Sequence, residues 1–403
     1  LKKFYQMPYT TLSYLCDATR DADARAFARL MRHLQEVDGE ACTVVAVQVE
    51  NETGVMGNAR EMSDEADALF AAEVPQAFVD YMKENVQDMA PDVAEAVRQG
   101  ADSGSWEAVF GECAGEIFSA YHIASYVNAV AAAGKAEYPL PMTVNCWLDK
   151  GEEPGMYPSG GPVSRMMEVW EYCAPQIDVF APDIYVPDFP GICDAYVKRG
   201  NPLFIPECAT HSYAGVRQVY AVGHYHAMCY APFGFEDIGK PFNAQQGALF
   251  GMDVSDPALK TPQSVEEYYW FTHNLQEMMP LLGGRYGTGD LQAVSGERKE
   301  ENEMLFGSFG FRVNLEDPAI VDGRGVCLIL KETEDTFYVM IHAAGLLPFS
   351  TDEKKPYVDL LLLEEGQFED GVWKAGRRFN GDEATSLRYE EPALLKVKLF
   401  AYA

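Results

Sequence analysis

The sequence is poor in several things, and each shortage closes a class of function. Its apolar stretches, such as Leu360 to Leu363 and the alanine-rich Val127 to Ala133, fall far short of the roughly 20 residues that a membrane-spanning helix requires. Nine cysteines, an odd number scattered from Cys16 to Cys327, include no C-x-x-C pair. Neither a secreted disulfide framework nor a zinc site fits that pattern, so reduced, mostly buried thiols are expected. Histidine is scarce: His224 and His226 stand one residue apart without an H-E-x-x-H motif or a third ligand at metal spacing, and no metal or cofactor is expected. Basic residues number 31 against 62 acidic ones, a formal charge of −31 that repels phosphate backbones and anionic bilayers. Nucleic acid and membrane are therefore not expected partners, and a neutral or cationic one is, although acidity also serves solubility. There is no internal repeat and no low-complexity stretch. No leader is visible, which together with the odd, unpaired-looking cysteines weakly favours a cytoplasmic location, while the opening on Leu1 rather than methionine leaves the localisation open.

What remains is ample for a large core: 403 residues, 48% of them hydrophobic, suit one large domain and a smaller one. Up to about Gly284, helical patterns alternate with short apolar runs, the mark of βα units around a parallel sheet. Five runs read as strands buried on both faces: Thr43 to Val49, Pro141 to Cys146, Ile177 to Ala181, Pro202 to Pro206 and Cys229 to Phe233. Helices are expected over Ala22 to Glu36, Val74 to Val86 and Gly115 to Ala133. A last one opens on a Ser264/Glu267 capping box and stops at Gly283-Gly284. The fold class is thus α/β over residues 1–284, followed by an all-β region over 285–403. In that region Val326 to Leu330, Thr336 to His342, Val358 to Leu363 and Leu394 to Tyr402 read as strands, and Asp370-Gly371 as a hairpin turn.

In parallel βα architectures, reactive groups sit at the carboxyl ends of strands. Two runs end there in glutamate: Gln48-Val49-Glu50-Asn51-Glu52-Thr53-Gly54 and Ile205-Pro206-Glu207-Cys208. Retaining hydrolysis of a glycoside needs two carboxyl groups about 5 Å apart, one ionised to attack the anomeric carbon and one protonated to help the leaving oxygen depart. A glutamate preceded by asparagine suits the acid/base, because the asparagine amide can bond the sugar 2-hydroxyl. Glu52 takes that role and Glu207 is left as nucleophile. The negative charge of Glu207 should raise the pKa of Glu52 until the covalent intermediate neutralises it. Glu50, on the far side of an extended strand from Val49, is expected to make a structural ion pair. Asn145 and Trp147 follow the second strand run, and an amide beside an indole suits a sugar face and hydroxyl. Phe233 and Glu236 follow the last run and are expected to line the pocket. The long segment from Thr53 to Phe110 is expected over its mouth, with Trp106 against the leaving group.

The segment Gln48 to Gly54 resembles the Q-V-E-N-E-x-G stretch of glycoside hydrolase family 35 β-galactosidases. That resemblance implies a (β/α)₈ TIM barrel with the acid/base after strand four and the nucleophile after strand seven. The five runs then become strands four to eight, and the first three βα units are absent. Tyr185, in Asp183-Ile184-Tyr185, resembles the tyrosine that neighbours the nucleophile in the wider clan. Glu364 to Glu383 is similar to an uncharacterised β domain that follows the barrel in a bacterial branch of these proteins, which implies a sandwich-like C-terminal domain. A β-galactosidase acting on oligo- or polysaccharide by double displacement is the function implied. A β-glycosidase of other sugar specificity and a non-catalytic carbohydrate-binding protein remain open alternatives, and a homo-oligomer is compatible with all three.

Overall fold

The computed structural model describes residues 12–149, 151–241, 255, 261–315, 324–384 and 387–403. Two compact units emerge, one running to Asp183 and including Lys198–Phe204, the other formed by Ile184–Val197 and Ile205–Ala403.

In the first unit, helix α1 (Asp17–Asp38) precedes a strand β1 of only two residues, Val47–Gln48. The expected strand from Thr43 was longer. Among the described residues β1 pairs on one side alone, in parallel with β2 (Met142–Cys146), and Val45 is 74% exposed. An apolar run without a second neighbour has no ladder to extend it. β2 in turn pairs in parallel with β3 (Val179–Ile184), Asn145 opposite Ala181. Both β2 and β3 are buried along their whole length, which is why they read as continuous apolar runs.

Between β1 and β2 the long connection folds into helices of its own: α2 (Asp64–Ala71), α3 (Gln76–Glu84), α4 (Pro91–Gln99), α5 (Trp106–Phe110) and α6 (Ala114–Lys135). Trp106 is not at a cleft mouth. It is 2% exposed and packs at ring-centroid distances of 6.1 Å on Phe78, 5.2 Å on Phe118 and 5.4 Å on Tyr121. An indole with that many aromatic neighbours is worth more as the centre of this helical insertion's core than on its surface. Helix α7 (Met167–Cys173) then leads into β3.

In the second unit, α8 (Phe189–Tyr196), β4 (Phe204–Cys208), α9 (Ala214–His224), β5 (Cys229–Pro232) and α10 (Val265–Gly283) continue the alternation. The Ser264 hydroxyl accepts from the Glu267 amide at 3.2 Å, so the expected cap forms. Only half of the capping box closes, because the Glu267 carboxylate turns to Arg324 and Gln263.

From Leu291 onward the described residues of the same unit form strands joined by turns, loops and short 3₁₀ helices. Six strands make one antiparallel sheet, ordered β13 (Val372–Arg378), β12 (Tyr357–Glu369), β15 (Ala393–Tyr402), β10 (Thr336–His342), β9 (Val326–Lys331) and β6 (Leu291–Ser295). Four make another, ordered β14 (Arg388–Tyr389), β11 (Ala344–Ser350), β8 (Phe309–Asn314) and β7 (Glu303–Phe306). Phe311, Val313 and Leu346 of the second sheet meet Phe337, Val339, Ile341 and Val397 of the first in a common core. The six-stranded sheet is covered on its other face by α9: a Cβ on Gly223 would come within 2.6 Å of Ala293 and 2.8 Å of Leu328. With both faces covered, all seven residues of β10 are buried. Asp370 and Gly371 close the β12–β13 hairpin with φ of 51° and 73°, the two left-handed positions of a type I′ turn.

Candidate functional site

In the first unit the chain leaves β1 through Val49, 1% exposed, and then turns sharply. Glu50 and Glu52 have φ of 60° and 43°, a left-handed conformation that costs a non-glycine residue about 1–3 kcal/mol. Glu50 is therefore not on an extended strand. It is exposed, makes no ion pair among the described residues, and uses its carbonyl to accept from Gln48 Nε2 at 3.0 Å.

The turn is held by one buried side chain. Asn145, on β2 and 1% exposed, accepts from the Glu52 amide at 2.9 Å through Oδ1. Its Nδ2 reaches Asn51 Oδ1 at 3.2 Å and Asp183 Oδ2 at 2.8 Å. A single amide thus ties together the ends of β1, β2 and β3. Gln48 Nε2 also donates to Asn51 Oδ1, at 3.2 Å. Both bonds to Asn51 use its oxygen, and its NH₂ makes none among the described residues. Gly54 explains the last position of the segment: at φ 150°, a Cβ there would lie 2.4 Å from Pro158 main-chain and side-chain carbons. That closeness allows Val55 and Ser159 to exchange two main-chain bonds of 2.9 Å. Trp147, just past β2, is half-buried.

The second unit carries the other glutamate. Glu207 is the penultimate residue of β4, half-buried, and its Oε2 accepts from the Tyr185 hydroxyl at 2.8 Å. The next residue, Cys208, accepts at its carbonyl from the Phe233 amide at 2.9 Å, which fixes the end of β5 beside the end of β4. The Phe233 ring itself is 51% exposed, and Glu236 is exposed on a 3₁₀ turn. Beyond Cys208 the chain stays buried: Thr210, His211 and Ser212 are each at most 7% exposed. His211 lies 3.2 Å from the Tyr213 amide through Nδ1 and 3.2 Å from Arg217 Nη1 through Nε2, and a neutral ring accepts at one of these two nitrogens. Burial first and the Arg217 charge second push its pKa down to about 3, so the ring is neutral.

Within the first unit, then, Asn51, Glu52 and Asn145 come together. Within the second, Tyr185 and Glu207 do, with Phe233 present through its main chain. Asp183, His211, Arg217 and Glu297 escaped the sequence reading. Asp183 ends an apolar run as the two glutamates do and was findable on that ground. His224 and His226 bond the β6 carbonyls of Ala293 and Leu291, each at 3.2 Å, and so knit a helix end to a sheet.

Residues 273–389 match a family described as a domain of unknown function (DUF5597). No curated protein matches the chain. Among solved structures, the β-galactosidase from the psychrophilic Marinomonas ef1 shares 13% identity at a TM-score of 0.39, over 68% of this chain and 44% of that one. BuGH86E322Q in complex with neoagarooctaose shares 11% at 0.32, over 93% of this chain and 65% of its own. An endogalactoceramidase shares 12% at 0.25, over 73% and 55%. The chain spans less than two thirds of the length of each.

Proposed function

We propose that this chain carries the two catalytic glutamates of a retaining β-glycosidase, a β-galactosidase acting on terminal β-galactosides of oligo- or polysaccharides. The single observation that carries the reading is the hydrogen bond from Tyr185 to Glu207 at 2.8 Å. It fixes the direction of a carboxylate at a strand end, as an attacking nucleophile requires. The Asn145 network around Glu52 and the strained backbone there support it from the other unit.

In this reading Glu207 attacks the anomeric carbon while Glu52 gives its proton to the departing glycosidic oxygen, leaving a covalent glycosyl ester. Glu52, now a carboxylate, takes a proton from water as that water attacks the same carbon and releases Glu207. The Asn51 amide donates to the 2-hydroxyl, and Asn145, Trp147, Tyr185 and Phe233 complete the sugar's surroundings. We assign the five parallel-type strands to strands four to eight of a (β/α)₈ barrel within residues 1–284, and residues 285–403 to a β domain. No cofactor enters the chemistry.

Replacing Glu207 by Gln in the full-length protein should abolish hydrolysis of an aryl β-galactoside. Unchanged turnover removes the assignment. A panel of aryl glucosides, fucosides and arabinosides tests the sugar separately from the mechanism.

A further inference from the structure

We infer that the Glu297–Arg217 ion pair is a positioning device for the Glu207 carboxylate, which gives the region of unknown function a task in the reaction; the inference rests on the role proposed above for Glu207. Arg217 projects from α9 and is 5% exposed. Its Nε and Nη2 bind Glu297 Oε2 and Oε1 at 2.9 and 2.6 Å, the two-pronged geometry that a planar guanidinium holds most rigidly. The remaining contacts of the same group go to the two segments that present the Tyr185–Glu207 bond. Nη2 donates to the Pro187 carbonyl at 2.8 Å, two residues beyond Tyr185. Nη1 lies 3.2 Å from His211 Nε2, four residues beyond Glu207.

The carboxylate that sets this guanidinium is itself anchored. Glu297 sits in the 3₁₀ turn Gly296–Arg298 after β6, its amide bonded by Ser295 Oγ at 3.2 Å. Next to it Arg298 binds Asp194 on α8 at 2.5 Å. A second arginine, on the short segment before β9, repeats the arrangement one residue further along: Arg324 donates to the Ser212 carbonyl at 2.8 Å while forking onto Glu267 at 3.0 and 3.2 Å. The loop that carries Glu207 out of β4 is therefore gripped at His211 and at Ser212, both times by an arginine paired to a glutamate. An ion pair that only cemented α9 to the β sheets would have no need to reach Pro187 and His211. Loss of the Glu297 charge frees the guanidinium to turn, and the Tyr185 and Glu207 segments then move independently.

The test uses the full-length protein with Glu297→Gln, Glu297→Asp and Arg324→Gln, read as kcat and KM on an aryl β-galactoside well below each melting temperature. Hydrogen exchange over residues 185–189 and 207–213 is followed in parallel. Glu297→Gln should lose about 10²-fold in kcat with KM held within about twofold, the scale of a misplaced reacting group, and exchange should rise in both segments. Glu297→Asp should recover part of kcat. Arg324→Gln, whose side chain is 19% exposed and whose loss the fold tolerates better, should show the same split on a smaller scale. A lower melting temperature with kcat unchanged, or unaltered exchange in the two segments, overturns the inference. The exchange readout needs no turnover, so it judges the clamp even if Glu207→Gln proves fully active and the glycosidase reading falls.

Discussion

The two glutamates are presented by different local structures. The main chain at Glu52 is fixed: a buried asparagine takes its amide, and a left-handed turn sets its direction. Glu207 lies in a regular strand and is held through its side chain by Tyr185, while arginines brace the loop behind it. The difference suits the two roles proposed for them. An acid/base must gain and lose a proton in every cycle, so it gains from being aimed by its backbone, whereas a nucleophile gains from a partner that fixes the direction of its side chain.

The comparison can be broken first at Asn145. Its replacement by Ala releases the Glu52 amide, Asn51 and Asp183 at once, and kcat should fall by about 10²-fold, because a displaced acid/base is as costly as a missing one. If kcat holds while only stability drops, backbone positioning of Glu52 is not what Asn145 provides. Tyr185→Phe addresses the other side. Deleting a hydrogen bond to a charged group costs about 1.5–3 kcal/mol, so kcat should fall by roughly tenfold or more with little change in KM. An equal effect on KM would mean that the tyrosine serves the sugar and not the carboxylate.

The smallest effect concerns pH. His211 has a folded pKa of about 3, below its usual value near 6.5, so the folded state binds fewer protons than the unfolded one. Its contribution to stability is complete above pH 6.5 and is lost as pH falls toward 3, amounting to about 1–2 kcal/mol by pH 5. His211→Gln should flatten the decline in melting temperature between pH 7 and 5. A variant that declines as steeply as the parent would show that the brace behind Glu207 is not proton-sensitive.

How much of this could be read from the chain depended on the range of the interactions involved. Thr336–His342 emerged with the expected bounds, and the Asp370-Gly371 turn and the Ser264 cap formed as their local chemistry requires. β12 ran on to Glu369, well past Leu363, because pairing with both β13 and β15 extends it through residues of no apolar pattern. Glu52, Asn145 and Glu207 were visible because each ends or nearly ends an apolar run. Trp106 misled because a long connection looks like a loop until its aromatic residues find one another. Arg217 and Glu297 lie 80 residues apart, and nothing local in either segment announces the pair.

The central claim is that Glu207 becomes covalently bonded to the sugar. Incubating the full-length protein with an activated 2-deoxy-2-fluoro-β-galactoside slows departure from the intermediate, and peptide mass mapping then locates the bond. A mass increase of one fluorosugar is expected on the peptide containing Glu207, absent in Glu207→Gln. Turnover with the adduct on another residue, or with none, would contradict it.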